Sequence, residues 1–214
     1  MNAGISAGAV LDLLDWKRHI SALYAEIRNA TEPRATWERW RAARDDLFAS
    51  HPQSPLPRAE RASFAGLPYF DYDAAARVLA DVRGVAPDSY DIATSGDPGG
   101  TYRFTRFGVA AFELAGQPLE LEVYWLEGYG GGAFLPFRDG TSGEETYGAG
   151  RYLLDTVKGA DLGTTDEGRL VLDFNFAYNP SCAYDAAWVC PLAPPPNRLT
   201  VPIRAGERTG ANDD

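Results

Sequence analysis

Glycine is spread unevenly along this chain, and that unevenness does most to constrain the fold. Residues 84–168 hold 17 of the 22 glycines, whereas residues 1–65 hold two, Gly4 and Gly8. Glycine supplies turns and bulges and weakens helix interiors. The first part therefore reads as helical, and the middle as strands joined by tight turns. Leu13, Trp16, Ile20, Leu23 and Ile27 recur at helical spacing and predict an amphipathic helix over about 10–29. Thr31-Glu32-Pro33 then offers an N-cap, an acidic first turn and an early proline. Trp37, Trp40, Leu47 and Phe48 form a second apolar stripe that His51-Pro52 ends. The expectation is an antiparallel helical pair whose tryptophans cover the sheet that follows.

Downstream the apolar period becomes two. Arg77–Val82 alternates, and Tyr102–Arg106 and Val109–Leu114 read as strands broken by a turn at Gly108. Further strands are expected at Leu119–Leu126, Ala133–Phe137, Arg151–Val157, Leu170–Ala177 and Leu199–Ile203. Short strands with regular turn signals argue for an antiparallel sheet, sandwich or partly closed barrel. The expected fold is α+β: two N-terminal helices packed on a mainly antiparallel β-sheet curled into a barrel or sandwich. One domain is expected over 1–206, helical at about 10–50 and β-rich at about 68–204, with a disordered tail over 207–214.

The formal charge of -10 argues against a general nucleic-acid binder, because phosphate contacts need a positive surface. No apolar run approaches the roughly 20 residues of a membrane helix. The N-terminus lacks the basic and apolar regions of a signal peptide, so a cytoplasmic protein with reduced Cys182 and Cys190 is expected. Only two of the 20 basic residues are lysines, Lys17 and Lys158, and this skew suggests a GC-rich bacterial genome.

No phosphate-binding loop, dinucleotide fingerprint, H-E-x-x-H, C-x-x-C or G-x-S-x-G occurs. His51, Cys182 and Cys190 match no zinc spacing, so neither metal nor cofactor is expected. Four features could carry chemistry. Glu127 ends the apolar face of Leu121, Val123 and Trp125, which suits a general acid or base, or lies solvated beyond the strand end. Asp173 and Asn175 share a strand face that either lines a cleft or faces solvent. The glycine-rich stretch from Phe137 to Tyr152 concentrates Arg138, Asp139, Tyr147 and Arg151, as a binding loop or a solvated hairpin. The stretch from Tyr178 to Leu199 carries Asn179, both cysteines and Asn197, and His51 could present an imidazole.

Together these segments resemble a bacterial and archaeal family, domain of unknown function 1684. The resemblance rests on Arg44-Asp45-Asp46-Leu47-Phe48, His51-Pro52-Gln53-Ser54-Pro55 and Phe134-Leu135-Pro136-Phe137-Arg138-Asp139. It continues through Thr146-Tyr147-Gly148-Ala149-Gly150-Arg151-Tyr152, Asp173-Phe174-Asn175, Ala177-Tyr178-Asn179-Pro180 and Pro195-Pro196-Asn197-Arg198-Leu199. It implies that the polar clusters are family features, and it names no reaction.

The resulting expectation is a small-molecule enzyme using metal-independent acid–base chemistry on a polar or anionic organic substrate, by hydrolysis, isomerisation or cyclisation. Asp139, Asp173, Tyr147 and His51 are the catalytic candidates, and Arg138, Arg151, Asn175, Asn179 and Asn197 would bind substrate. A non-catalytic ligand-binding barrel and a structural interaction domain are the alternatives. No nucleic-acid or membrane partner is expected.

Overall fold

The computed structural model describes residues 6–96 and 100–209. Helix α1 (Ala7–Asn29) begins at Ser6, whose hydroxyl accepts the Ala9 N–H at 3.1 Å. Helix α2 (Pro33–Ser50) buries Thr36, Trp37, Trp40, Arg44 and Phe48, one stripe at intervals of one, three, four and four residues. Pro33 opens it, as its missing N–H costs nothing there. The expected Thr31 cap is replaced by Glu32, which makes no side-chain capping bond; the Thr36 hydroxyl donates to the Glu32 carbonyl instead. Glu26 meets Arg39 while Trp16 meets Phe48 and His51, so the helices run antiparallel.

Six antiparallel strands follow: β1 (Arg77–Ala93), β2 (Thr101–Leu114), β3 (Gln117–Leu126), β4 (Gly132–Phe137), β5 (Arg151–Asp155) and β6 (Leu170–Asp173). Their order is β5-β4-β3-β2-β1-β6. Tyr152 of β5 exchanges two backbone hydrogen bonds with Tyr178, just beyond β6, so the two sheet edges approach and the sheet nearly closes into a barrel. Side-chain alternation divides the core. Ala110, Leu121, Val123, Leu135, Phe137, Leu153 and Leu172 fill one side. Phe104, Tyr124, Phe134 and Tyr152 face the other, where Ile20, Tyr24, Trp37 and Trp40 of the helices cover them. No helix among the described residues is long and apolar enough to cross a membrane.

Several expectations need correction. Gly108 makes a bulge rather than a turn: β2 runs through it, and a Cβ there would sit 2.9 Å from Val82 Cγ1. The next turn, expected from Ala115-Gly116-Gln117-Pro118, is a two-residue hairpin at Ala115-Gly116, both with positive φ. Strand β6 stops at Asp173, because its carboxylate accepts the Asn175 N–H at 3.0 Å and starts a 3-10 turn over Phe174–Phe176. Asp173 and Asn175 therefore do not share a strand face. Residues 199–203 form no strand. Leu199 and Val201 bond the backbone of Arg138 and Gly140, Ile203 bonds side chains, and Pro202 has no N–H to offer. The expected tail begins too early, since Glu207 is fully buried; its remainder, 210–214, lies outside the described residues.

Candidate functional site

The glycine-rich stretch folds as a brace. Arg151 Nη2 donates to Asp139 Oδ2 at 2.7 Å and to the Ile203 carbonyl, and Nη1 donates to the carbonyls of Ala205 and Glu207. Asp139 Oδ1 accepts from the Thr141 N–H and hydroxyl and from the Ile203 N–H. Both side chains are essentially withdrawn from solvent, and apart from the unpartnered Arg151 Nε their hydrogen-bonding groups meet each other, Thr141 and the 203–207 segment. The glycines admit backbone rather than ligand: a Cβ at Gly150 would lie 2.5 Å from the Phe137 carbonyl oxygen. Arg138 is half-buried and joins Asn197 and Leu199 through its backbone.

The remaining candidates disperse. Asn197 is fully buried, bonding the backbone of Glu122 and Pro136. Asn175 clasps the Asp73 backbone in both directions and donates to Asp173 at 2.8 Å. Asp173, its pKa raised by burial, lines an open groove beside Arg77 and Thr36. Tyr147 places its hydroxyl 3.7 Å from the Cys182 sulfur. Glu127 lies exposed, accepting from Ser89 and Thr105.

His51 ends α2 beside Asp15 and His19, and the three offer ligand atoms within 4.8 Å of one another. Hydrogen bonding assigns the His51 tautomer. His51 Nδ1 accepts the Gln53 N–H at 3.0 Å, which leaves its proton on Nε2, facing Asp15 Oδ2. Ligation through Nε2 would force that proton onto Nδ1, against the Gln53 N–H.

Of the expected residues, Asn179 borders a half-open cleft that also holds unpartnered polar groups. Between α1, α2 and the barrel wall lies a cavity of about 60 Å³, walled by Ile20, Tyr24, Trp40, Arg44, Tyr178 and Asn179 among others. The buried Tyr178 hydroxyl and Asn179 Oδ1 have no hydrogen-bond partner there. The Trp40 indole N–H, close to the Tyr24 phenol, makes no well-formed bond either. Orphaned buried polar groups are uncommon in folded proteins. Arg44 lines it, with the buried Glu207 behind. Arg44 Nη2 donates to Glu207 at 2.8 Å, and Asn179 and Tyr184 donate to the same carboxylate.

Lys158 lines this cavity and also a second, of about 250 Å³, walled by Tyr102, Phe104, Leu126, Phe134, Val189 and Pro191. Asp155, at the end of β5, opens onto the second cavity with its carboxylate 3.8 Å from Lys158 Nζ. Burial raises the Asp155 pKa against the opposing pull of Lys158. Two signals in the sequence mark these residues. Arg44 is a charge on the Trp37–Trp40–Phe48 stripe, and Asp155 ends the apolar run Tyr152-Leu153-Leu154 beside one of the two lysines.

Residues 62–208 match the family described as "Protein of unknown function (DUF1684)". Among solved structures, the chain is similar to the solution NMR structure of an uncharacterised protein of Haloarcula marismortui. The two are 36% identical with a TM-score of 0.60, over 83% of this chain and 95% of that one. No curated protein matches.

Proposed function

This chain belongs to the DUF1684 family, and from its cavities we propose that it binds a small organic molecule with a polar or anionic end. The observation that carries the reading is the coincidence of unpartnered Tyr178 and Asn179 groups with Arg44 and Lys158 around one half-open cleft. An apolar body fits the aromatic cavity, and the polar end meets Lys158 and the orphaned groups beyond it. Titration with butyrate and benzoate, followed by amide NMR, tests this. Shifts at Asp155, Lys158, Tyr178 and Asn179 that vanish in Lys158→Met support the reading. Shifts elsewhere only, or shifts indifferent to Lys158→Met, sink it.

Catalysis is the second reading, favoured by Asp155. A desolvated carboxyl beside an ammonium, on the wall of an apolar cavity, suits acid–base chemistry of the hydrolytic, isomerising or cyclising kind. Mass spectrometry of cell-extract metabolites incubated with the protein tests it. Turnover that Asp155→Asn leaves unchanged contradicts a role for Asp155. A bacterial, cytoplasmic setting belongs to the same proposal, supported by the arginine-rich, lysine-poor composition.

A further inference from the structure

Where the turn between α1 and α2 meets β1 and β6 lies a groove of about 460 Å³ that shares no lining residue with either Lys158 cavity. Ile27, Leu162, Val171 and Phe176 give it apolar surface, and the exposed Thr31 and Thr164 border it. Arg77 and Asp173 line it too, and the strand register brings them together. They are direct partners in the antiparallel pairing of β1 with β6, so their side chains leave the same face of the sheet.

Asp173 is 2% exposed, yet only half of its carboxylate is satisfied. Oδ1 accepts the Asn175 N–H at 3.0 Å and the Asn175 side-chain amide at 2.8 Å. Asn175 is itself clasped by the Asp73 backbone, which fixes the direction of the carboxylate. Oδ2 has neither a hydrogen-bond donor nor an ion-pair partner among the described residues. Arg77 is exposed and makes no side-chain hydrogen bond or ion pair there either, although its charge pulls against the burial that raises the Asp173 pKa. The groove's other cation is engaged: Arg28 Nη1 donates to the Asp161 carbonyl at 2.6 Å and lies 4.0 Å from the Asp161 carboxylate. One anion and one cation are thus left unmatched beside an apolar surface. A ligand of a single charge would answer one of them and leave the other, whereas a ligand carrying both signs answers both.

We propose that this groove binds a zwitterionic α-amino acid with an apolar side chain. Its ammonium meets Asp173 Oδ2, its carboxylate meets Arg77, and its side chain lies against Val171 and Phe176. The carboxylate is pre-organised by Asn175, so binding does not have to order it. The inference is independent of any ligand in the Lys158 cavities.

The test is amide NMR of the full chain titrated with L-leucine, 4-methylpentanoate and isopentylamine, the last two lacking the ammonium and the carboxylate respectively. Leucine should shift the Arg77, Thr164, Val171 and Asp173 amides saturably. Each analogue should bind there at least about tenfold more weakly, because each forfeits one charge-assisted contact. Arg77→Met changes an exposed side chain without hydrogen bonds, so the fold tolerates it; it should cost leucine a similar factor without weakening isopentylamine. Asp173→Asn should likewise weaken leucine and spare 4-methylpentanoate. Unshifted amides in leucine overturn the proposal, and so do analogues that match leucine or an Arg77→Met chain that binds leucine as the wild type does. Leucine shifts confined to Asp155 and Lys158 overturn it as well, while leaving the reading of those cavities intact.

Discussion

Arg151 and Asp139 meet at 2.7 Å with 1% and 0% of their side chains exposed, the most deeply buried ion pair in the molecule's described part. Burial lowers the Arg151 pKa, and Asp139 opposes that shift. Removing one partner leaves the other as an uncompensated buried charge, which costs about 3–5 kcal/mol. Arg151→Met and Asp139→Leu should each lower the urea midpoint by that equivalent, and the double variant by less than their sum. Additive losses would show that the two side chains do not depend on each other.

This pair also shows what could be read from the sequence and what could not. The density of Arg138, Asp139, Tyr147 and Arg151 was legible, but its partners were not, since Arg151 and Asp139 meet the 203–207 segment, whose end reads as a polar tail. Direction was not legible. A buried arginine satisfied by the carbonyls of Ile203, Ala205 and Glu207 has the same local sequence as one aimed at a ligand. Gly150 has the same ambiguity, since close approach of a carbonyl and of a substrate both require glycine. The sequence does not mark the Tyr178 hydroxyl, because a tyrosine betrays an orphaned hydroxyl only once its neighbours are placed. The helical pair emerged clearly because its 3.6-residue period depends on no distant contact.

Gly206 sits at φ +82°, and a Cβ there would lie 2.6 Å from the Phe174 carbonyl oxygen and 2.7 Å from that of Ala177. Both neighbours are backbone and cannot swing aside. Gly206→Ala combines left-handed strain, about 1–3 kcal/mol, with that collision. The same substitution at Gly168, where φ is +81° but nothing lies within 4 Å, carries strain alone. Thermal melts should rank Gly206→Ala well below Gly168→Ala, and equal losses would contradict the packing around Gly206.

Burial keeps Asp155, Asp173 and Glu207 protonated to higher pH in the folded chain than in the unfolded one. The folded state therefore binds more protons from the ordinary carboxyl values, 3.8 and 4.5, up to the raised ones, and stability falls as pH rises through that window. Hydroxyl and guanidinium donors lower the pKa of exposed Glu127 and Glu167 and half-buried Glu145, whose contribution is lost only as pH falls below 4.5. Asp155→Asn keeps a carbonyl acceptor for the Lys158 N–H and removes one titration. Urea unfolding from about pH 4 to 8 should show a shallower decline in this variant than in the wild type. An identical slope would mean that Asp155 ionises normally.

An unpartnered buried hydroxyl is a liability in the empty protein, worth about 1–3 kcal/mol. Tyr178→Phe removes it while keeping the ring that packs on Tyr152 at 5.8 Å. The ligand-free variant should melt at or above the wild-type temperature, yet lose the thermal shift that a bound carboxylate confers. A variant destabilised without ligand would show that the hydroxyl already has a partner, and the cavity would lose its main claim.

Asn197 acts as a backbone surrogate between two strands. Its Oδ1 accepts the Glu122 N–H at 2.8 Å, and its Nδ2 donates to the carbonyls of Glu122 and Pro136 at 2.9 and 2.7 Å. Truncation to alanine orphans three backbone groups at a fully buried position, so at roughly 1–3 kcal/mol per group a loss of about 3 kcal/mol or more is expected. Asn197→Asp is nearly isosteric and should be worse at neutral pH, because a carboxylate then faces two carbonyl oxygens. Acid should rescue it, since a protonated carboxyl regains one donor. Urea midpoints for both variants across pH decide the matter. If alanine is the worse substitution at neutral pH, or if acid leaves the aspartate variant unimproved, then these carbonyls are not what the Asn197 amide serves.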